Sequence, residues 1–423
     1  MPSAKLRVYS ACWWLLLPVV LLRLCWRGRK EAGYLAHIPE RFGLGEPLAS
    51  PLIWVHAVSV GETRAAEPLI RSLLQRYPSH HILLTHMTPT GRAAGGALFG
   101  RESRVVQRYL PYDTLQMTRR FIAHARPQWC VLMETEVWPA LIEACREAGV
   151  PVALVNARLS ERSLRRARRF EALIGEAVRT IDVIAAQTEA DAQRLRQLGA
   201  QTVSVTGSLK FDITPPEPML ALGKQWRKQI GQRPVLLCAS TREGEEALLL
   251  DAYMRTTLPY DFLLMIVPRH PQRFADVEHM LEQRGLRFAR RSQMGDSPLP
   301  AATQVLLGDS MGEMFAYYVA CGVAFIGGSL LPLGGQNLIE ALSCGKPVLV
   351  GPHTFNFAQI TEDAVAAGAA RRVINAAQMM KEASALLQDS VACSRLSSVA
   401  VALTVAAQGA TQRTVDLLAP VIH

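Results

Sequence analysis

Apolar residues along the chain fall into two regimes. Residues 8–22 read VYSACWWLLLPVVLL, fifteen positions without a charge. From residue 52 onward, short apolar runs alternate with longer amphipathic segments. LIWVHA (52–57), ILLTHM (82–87), WCVLME (129–134), PVALVNA (151–157) and IDVIAAQ (181–187) have the length and β-branched content of strands. Helical spacing occupies the gaps between them, as in residues 63–76 and 136–148. Continuously apolar strands separated by helices predict βαβ units and a parallel sheet covered on both faces. The segment 210–219, KFDITPPEPM, holds three prolines in four positions, which suits neither a helix interior nor a sheet centre, and marks a connector. The alternation then restarts with VLLCAS (235–240), FLLMIVP (262–268), QVLLGD (304–309), VAFIGG (323–328) and PVLVG (347–351), a second Rossmann-like domain. From residue 376 the pattern is helical to the end, which predicts packed helices without a strand, with a crossing back to the first domain as one outcome.

The N-terminal block is short for a spanning helix, which wants roughly 20 apolar residues unless Arg23 snorkels. Bulky and basic residues follow it where a cleavage site would need small ones, so an uncleaved anchor, spanning or interfacial, is expected. Arg23, Arg27, Arg29 and Lys30 after the block outnumber Lys5 and Arg7 before it, which assigns the remainder to the cytoplasmic side. A buried helix of the first domain is the alternative.

Composition narrows the function without choosing it. A length of 423 residues suits two or three domains, and 49% hydrophobic against 19% charged residues excludes a disordered chain. The formal charge of +10 favours phosphorylated ligands or an anionic membrane as partners. The eight cysteines include no C-x-x-C pair and no histidine at metal-ligand spacing, as in a reduced core rather than a disulfide framework or a zinc site. Neither G-x-G-x-x-G nor a Walker loop follows any expected strand.

Two such α/β domains facing each other would place the carboxyl ends of both sheets at a shared cleft, so the chemistry is sought in strand-to-helix loops. Glu62 follows Gly61 after the first strand, as either a helix-dipole carboxylate or a general base. Glu134 stands at the end of the 129–134 strand, and Glu136 reads as an N-terminal helix carboxylate. Arg158, Arg162, Arg165, Arg166, Arg168 and Arg169 form a basic run that is either a solvated helix face or an attraction for phosphates and anionic lipid. Nucleic acid is disfavoured, because no aromatic interleaving or recognised motif accompanies it. In the second domain Ser240 and Thr241 precede a helix, with Glu243 completing a capping box from Ser240 or the helix start taking phosphate. Arg269 and His270 follow another strand in a position suited to phosphate, and Asn337 and Glu340 share a helical face on which the carboxylate can accept ribose hydroxyls.

The motifs SVGE (59–62), METEVWP (133–139), NARLSERS (156–163), GSLKFD (207–212), STREGEE (240–246), PRHPQRF (268–274), GDSMGE (308–313) and GPHTFNF (351–357) together resemble the bacterial 3-deoxy-D-manno-octulosonic acid (Kdo) transferases. The resemblance runs in order to near residue 360. It implies an α/β protein of GT-B type, with two Rossmann-like domains facing a cleft behind an N-terminal membrane anchor. The implied layout is an anchor at 1–30, an acceptor domain at 31–209, a linker at 210–232, a CMP-Kdo domain at 233–375 and helices at 376–423. The implied activity is inverting, metal-independent transfer of Kdo from CMP-Kdo to a lipid A precursor, on the cytoplasmic face of the inner membrane and without a cofactor. By motif, Glu62 is the general base, and Glu134 and Lys210 support the transition state. The nucleotide falls to Arg269, His270, Met311, Gly312, Glu313, Asn337, Leu338, Ile339 and Glu340, with Ser240 and Thr241 beside them. Arg242 and Gln336 stand where the family often has histidine. Another GT-B transferase using a UDP-sugar, or a membrane-associated binding protein without turnover, are the competing readings.

Overall fold

The computed structural model describes residues 2–29 and 31–421, so Lys30 of the basic cluster lies outside the described residues. The chain divides into two compact units, Met1–Asp212 with Ala407–His423, and Ile213–Ala406.

In the first unit a helix α1 (Ala4–Gly28) precedes β1 (Leu52–His56), α2 (Val60–Arg76), β2 (His81–His86), α3 (Pro89–Phe99), β3 (Val105–Tyr109), α4 (Leu115–Ala125) and β4 (Trp129–Met133). There follow α5 (Pro139–Glu147), β5 (Val152–Ala157), α6 (Glu161–Arg168), α7 (Glu171–Thr180), β6 (Val183–Ala186), α8 (Glu189–Gln197) and β7 (Val203–Val205). The seven strands form one parallel sheet in the order β3-β2-β1-β4-β5-β6-β7. Alternate side chains point to opposite faces, so β1 sends Leu52 and Trp54 into one core and Ile53 and Val55 into the other. Both faces are covered, which is why β1, β4 and β5 are buried at every position.

The second unit opens with α9 (Glu217–Ile230) and continues β8 (Val235–Thr241), α10 (Glu245–Arg255), β9 (Leu263–Pro268), α11 (Phe274–Gln283), β10 (Phe288–Arg290), β11 (Val305–Leu307) and α12 (Met314–Ala320). It ends with β12 (Val323–Ile326), α13 (Ile339–Ser343), β13 (Val348–Val350), α14 (Ala358–Ala367), β14 (Ala370–Arg372), α15 (Ala376–Gln388) and α16 (Ser390–Ala407). Its sheet is again parallel, in the order β10-β11-β9-β8-β12-β13-β14.

Three features depart from the sequence pattern. Within the expected connector 210–232, residues 217–230 are helical: α9 starts after the prolines and buries Trp226 against Tyr317 with ring centroids 4.9 Å apart, so it belongs to the second core. The C-terminal helices divide. Residues of α15 and α16 enter the second unit's core, whereas α17 (Ala410–Leu418) packs on α2 and places Val415 and Leu418 in the first. The Asp212 carboxylate caps α17, accepting from the Gly409 N–H at 2.6 Å and from that of Thr411. Finally, β3, β7, β10 and β14 carry no apolar run; they are the four edge strands of the two sheets.

Candidate active site

Sheet order reverses between β1 and β4 in the first unit, and the loops beyond the carboxyl ends of those two strands carry its acidic residues. Glu62 lies in the first turn of α2 and reaches back to the loop. Its Oε2 accepts from the Val58 N–H at 2.9 Å and its Oε1 from the Ser59 hydroxyl at 3.0 Å. The geometry is that of a capping carboxylate, yet burial together with the nearby Glu134 raises its pKa despite those two donors. A capped carboxylate that still holds a proton more readily than usual is suited to both stability and base chemistry.

Glu134 ends β4 in a left-handed conformation, φ +57°, and the neighbouring β5 carries Asn156 at φ +52°. Non-glycine residues rarely hold this conformation unless the surroundings impose it. Here the Glu134 carboxylate bridges two cations, the Lys210 Nζ at 2.8 Å and the Arg158 Nε at 3.0 Å. Asn156 in turn fixes the turn carrying Lys210, its Oδ1 accepting from the Leu209 N–H at 3.1 Å. The structure therefore joins Glu134 and Lys210, and it adds Arg158, which lies before α6 rather than on the basic helix. Ser160 is the cap of α6, accepting from the Ser163 N–H at 3.2 Å, so the helix begins at Glu161.

Glu136 is more than a helix-end carboxylate. Its Oε2 accepts from the Trp138 indole at 2.7 Å and lies 4.0 Å from His56 Nε2. Burial, and then the charge of Glu62, push its pKa up to about 7. His56 is fully buried, with its Nδ1 2.9 Å from Thr85 Oγ1. Burial and His86 lower its pKa to about 3, so it faces Glu136 as a neutral ring. Sequence spacing had set Glu136 aside; the missed signal was the indole two residues later, which turns the carboxyl inward.

On α6, Arg162, Arg165, Arg166, Arg168 and Arg169 are exposed around the single buried residue Leu164. Arg168 donates to Gln197 Oε1 at 3.0 Å.

In the second unit the order reverses between β8 and β12. Ser240, φ +56°, and Gly327 meet there so closely that a Cβ on Gly327 would stand 2.5 Å from the Ser240 carbonyl oxygen, which only glycine permits. The capping expected of Glu243 belongs to Glu245. α10 begins at Glu245, after Gly244, and the fully buried Glu245 carboxylate accepts from the N–H groups of Arg242 at 3.0 Å and Leu330 at 2.9 Å, and from that of Gly328. It thus ties the glycine loop to the end of β8 and takes up the Arg242 amide. Thr241 is buried against Glu246, its Oγ1 3.3 Å from Glu246 Oε1.

Arg269 follows β9, its N–H donating to the Thr241 carbonyl at 2.9 Å. His270 is exposed, and burial with the charges of Arg242 and Arg269 lowers its pKa, so the ring favours its neutral form near two guanidinium groups. The two departures from the family pattern are neighbours: a Cβ on Gly328 would lie 3.1 Å from Gln336 Nε2 and 3.5 Å from Arg242 Cγ. Asn337 and Glu340 are joined, Nδ2 donating to Oε1 at 3.2 Å. Leu338 and Ile339 between them are fully buried core residues, so their side chains are unavailable to a nucleotide. Met311 is exposed and Gly312 turns at φ +82°. Glu313 is engaged internally, accepting from Arg291 at 2.8 Å and from Ser310.

Two parallel α/β units with these sheet orders define a GT-B fold. The UDP-GlcNAc 2-epimerase of Neisseria meningitidis, in a crystal structure bound to UDP-GlcNAc, shares it with a TM-score of 0.57 at 17% identity, over 87% of this chain and 100% of that one. A family model described as 3-Deoxy-D-manno-octulosonic-acid transferase (kdotransferase) matches residues 36–213. The chain is 47% identical over 417 residues to the 3-deoxy-D-manno-octulosonic acid transferase of Bordetella pertussis, covering 95% of this chain and 96% of the relative. It is 37% identical over 424 residues to that of Haemophilus influenzae, covering 97% of each. The chain belongs to the 3-deoxy-D-manno-octulosonic acid transferase family, and it is a glycosyltransferase.

Proposed function

We propose that this protein transfers Kdo from CMP-Kdo to a lipid A precursor by a single inverting displacement, at the cytoplasmic face of the inner membrane. Glu62 removes the proton of the acceptor sugar hydroxyl as that oxygen bonds to the anomeric carbon of Kdo. The bond to the CMP phosphate breaks, and CMP departs with its electron pair. Glu134 cannot serve as the base while Lys210 and Arg158 hold it; it keeps their charges in place beside Glu62. Arg242 and Arg269 supply positive charge for the departing phosphate beside His270, and Glu340, steadied by Asn337, accepts the ribose hydroxyls. No divalent ion is required on this reading, because the cations are side chains. Arg162, Arg165, Arg166, Arg168 and Arg169 attract the phosphates of the acceptor or its bilayer.

The observation that carries the reading is the grouping of Glu62 with the Lys210–Glu134–Arg158 bridge at the strand reversal of the first sheet. Its test is Glu62→Gln, which retains shape and hydrogen bonding but cannot accept the proton. Turnover should fall by about 10²-fold or more while CMP affinity holds. A folded variant working at the wild-type rate would remove Glu62 from the mechanism.

A further inference from the structure

α1 presents two opposite faces. Leu6, Ser10, Leu17, Leu24 and Gly28 form a seam that is buried on the first unit. Leu6 packs with Leu115 and Ala140 near one end, and Leu17 with Tyr112 and Met117 at the middle. Near the other end Gly28 lies against Leu35, so closely that a Cβ there would clash with the Leu35 side chain. Two polar bonds, one buried and one partly buried, lock the register. The Leu115 N–H donates to Ser10 Oγ at 3.1 Å, and the Tyr9 hydroxyl donates to Asp113 Oδ2 at 2.9 Å. The outward face, at the 4-3-4-3 spacing of one helical stripe, is Val8, Cys12, Leu15, Val19 and Leu22. Val8 is 63% exposed, Leu15 79%, Val19 62% and Leu22 71%.

We propose that α1 lies along a single membrane leaflet, with the stripe Val8, Cys12, Leu15, Val19 and Leu22 among the acyl chains, and does not cross the bilayer. The helix is about 37 Å long at 1.5 Å per residue, so length alone would allow a crossing. Its docking forbids one. A docked α1 that crossed would carry Asp113, which accepts the Ala140 and Leu141 N–H groups, and the irregular backbone around it into hydrocarbon. Lying flat, the helix buries only the stripe. Lys5 and Arg7 at its start and Arg23, Arg27 and Arg29 at its end are exposed, and no acidic residue lies between positions 4 and 28. That charge pattern complements anionic headgroups at both ends of the apolar stripe. The neighbouring α7 packs Leu173 into the cluster around Leu6 and follows the arginine-bearing α6, placing a second basic surface on the same part of the unit. Bringing the unit to lipid serves the lipid-linked acceptor proposed above; the test does not depend on it.

The full-length protein is added to preformed phosphatidylcholine–phosphatidylglycerol vesicles, and Pro2→Cys and Arg29→Cys variants are treated with a membrane-impermeant maleimide and mapped by mass spectrometry. Both ends should label at rates within about threefold of each other, while vesicles slow labelling of Cys12 at least about tenfold. Protection of one end until detergent is added would overturn the proposal, as would a Cys12 whose labelling ignores the vesicles. The double variant L15E/V19E, with unchanged circular dichroism, should lose at least about tenfold in vesicle-bound fraction and still transfer Kdo to an acceptor dispersed in detergent. Undiminished sedimentation with vesicles contradicts the surface; absent turnover in the wild type contradicts the transferase reading instead.

Discussion

Three carboxylates stand on two neighbouring loops of the first unit, and their surroundings give them different work. Glu134 is bridged by two cations, Glu62 is capped by two neutral donors, and Glu136 has an indole and a neutral imidazole. A base must be ionised to act. With the pKa of Glu62 raised by burial, the acid limb of the pH–rate profile should lie above the ordinary carboxylate range, and initial rates across pH check it. Glu136 makes a separate forecast. Its folded pKa of about 7 exceeds the unfolded value, so the folded state binds more protons between the two. The stability it contributes is present below the unfolded pKa and is lost as pH rises through about 7. Glu136→Gln should therefore stabilise the protein relative to wild type by roughly 1–3 kcal/mol more at pH 8 than at pH 4.5, read by denaturant unfolding of both proteins. An unchanged difference across that range would show that Glu136 is solvated.

At the scale of elements, what could be read from sequence followed burial. The central strands of both sheets are continuously apolar and declare themselves; β3, β7, β10 and β14 have one unpaired edge, are only partly buried, and leave no such run. Glu62 and Glu134 were legible because a strand end and a following helix start bracket them. Glu245 was not, since its partners at Gly328 and Leu330 lie more than eighty residues away and only the fold brings them near. Leu338 and Ile339 came in with their motif although their side chains serve the core. The loop anchored by Glu245 should be sensitive to it. Losing a buried charge-assisted hydrogen bond costs roughly 1.5–3 kcal/mol, so Glu245→Gln should weaken CMP binding along with stability. Glu340→Ala and Arg269→Ala, at the proposed nucleotide site, should weaken CMP binding about tenfold or more in calorimetry with little loss of stability. Unchanged affinity in both would place the nucleotide elsewhere.

For the whole molecule, the chain path matters as much as either sheet. The polypeptide leaves the first unit after Asp212, builds the second, and returns to lay α17 on α2, where Asp212 itself caps the returning helix. Asp212→Ala should cost about 1–2 kcal/mol in the first unit by removing that cap, with CMP binding in the second unaffected. With side-chain cations proposed for leaving-group stabilisation, turnover should be unchanged in excess EDTA; loss of turnover restored by added Mg²⁺ would refute that part. The transfer itself is open to direct measurement. It is tested by incubating the purified full-length protein with CMP-Kdo and lipid IVA and recording the mass spectrum of the lipid, beside the Glu62→Gln variant under the same conditions. Lipid heavier by one or more Kdo residues is expected with the wild type, and almost none with the variant. Unmodified lipid from a folded, CMP-binding wild-type protein would contradict it.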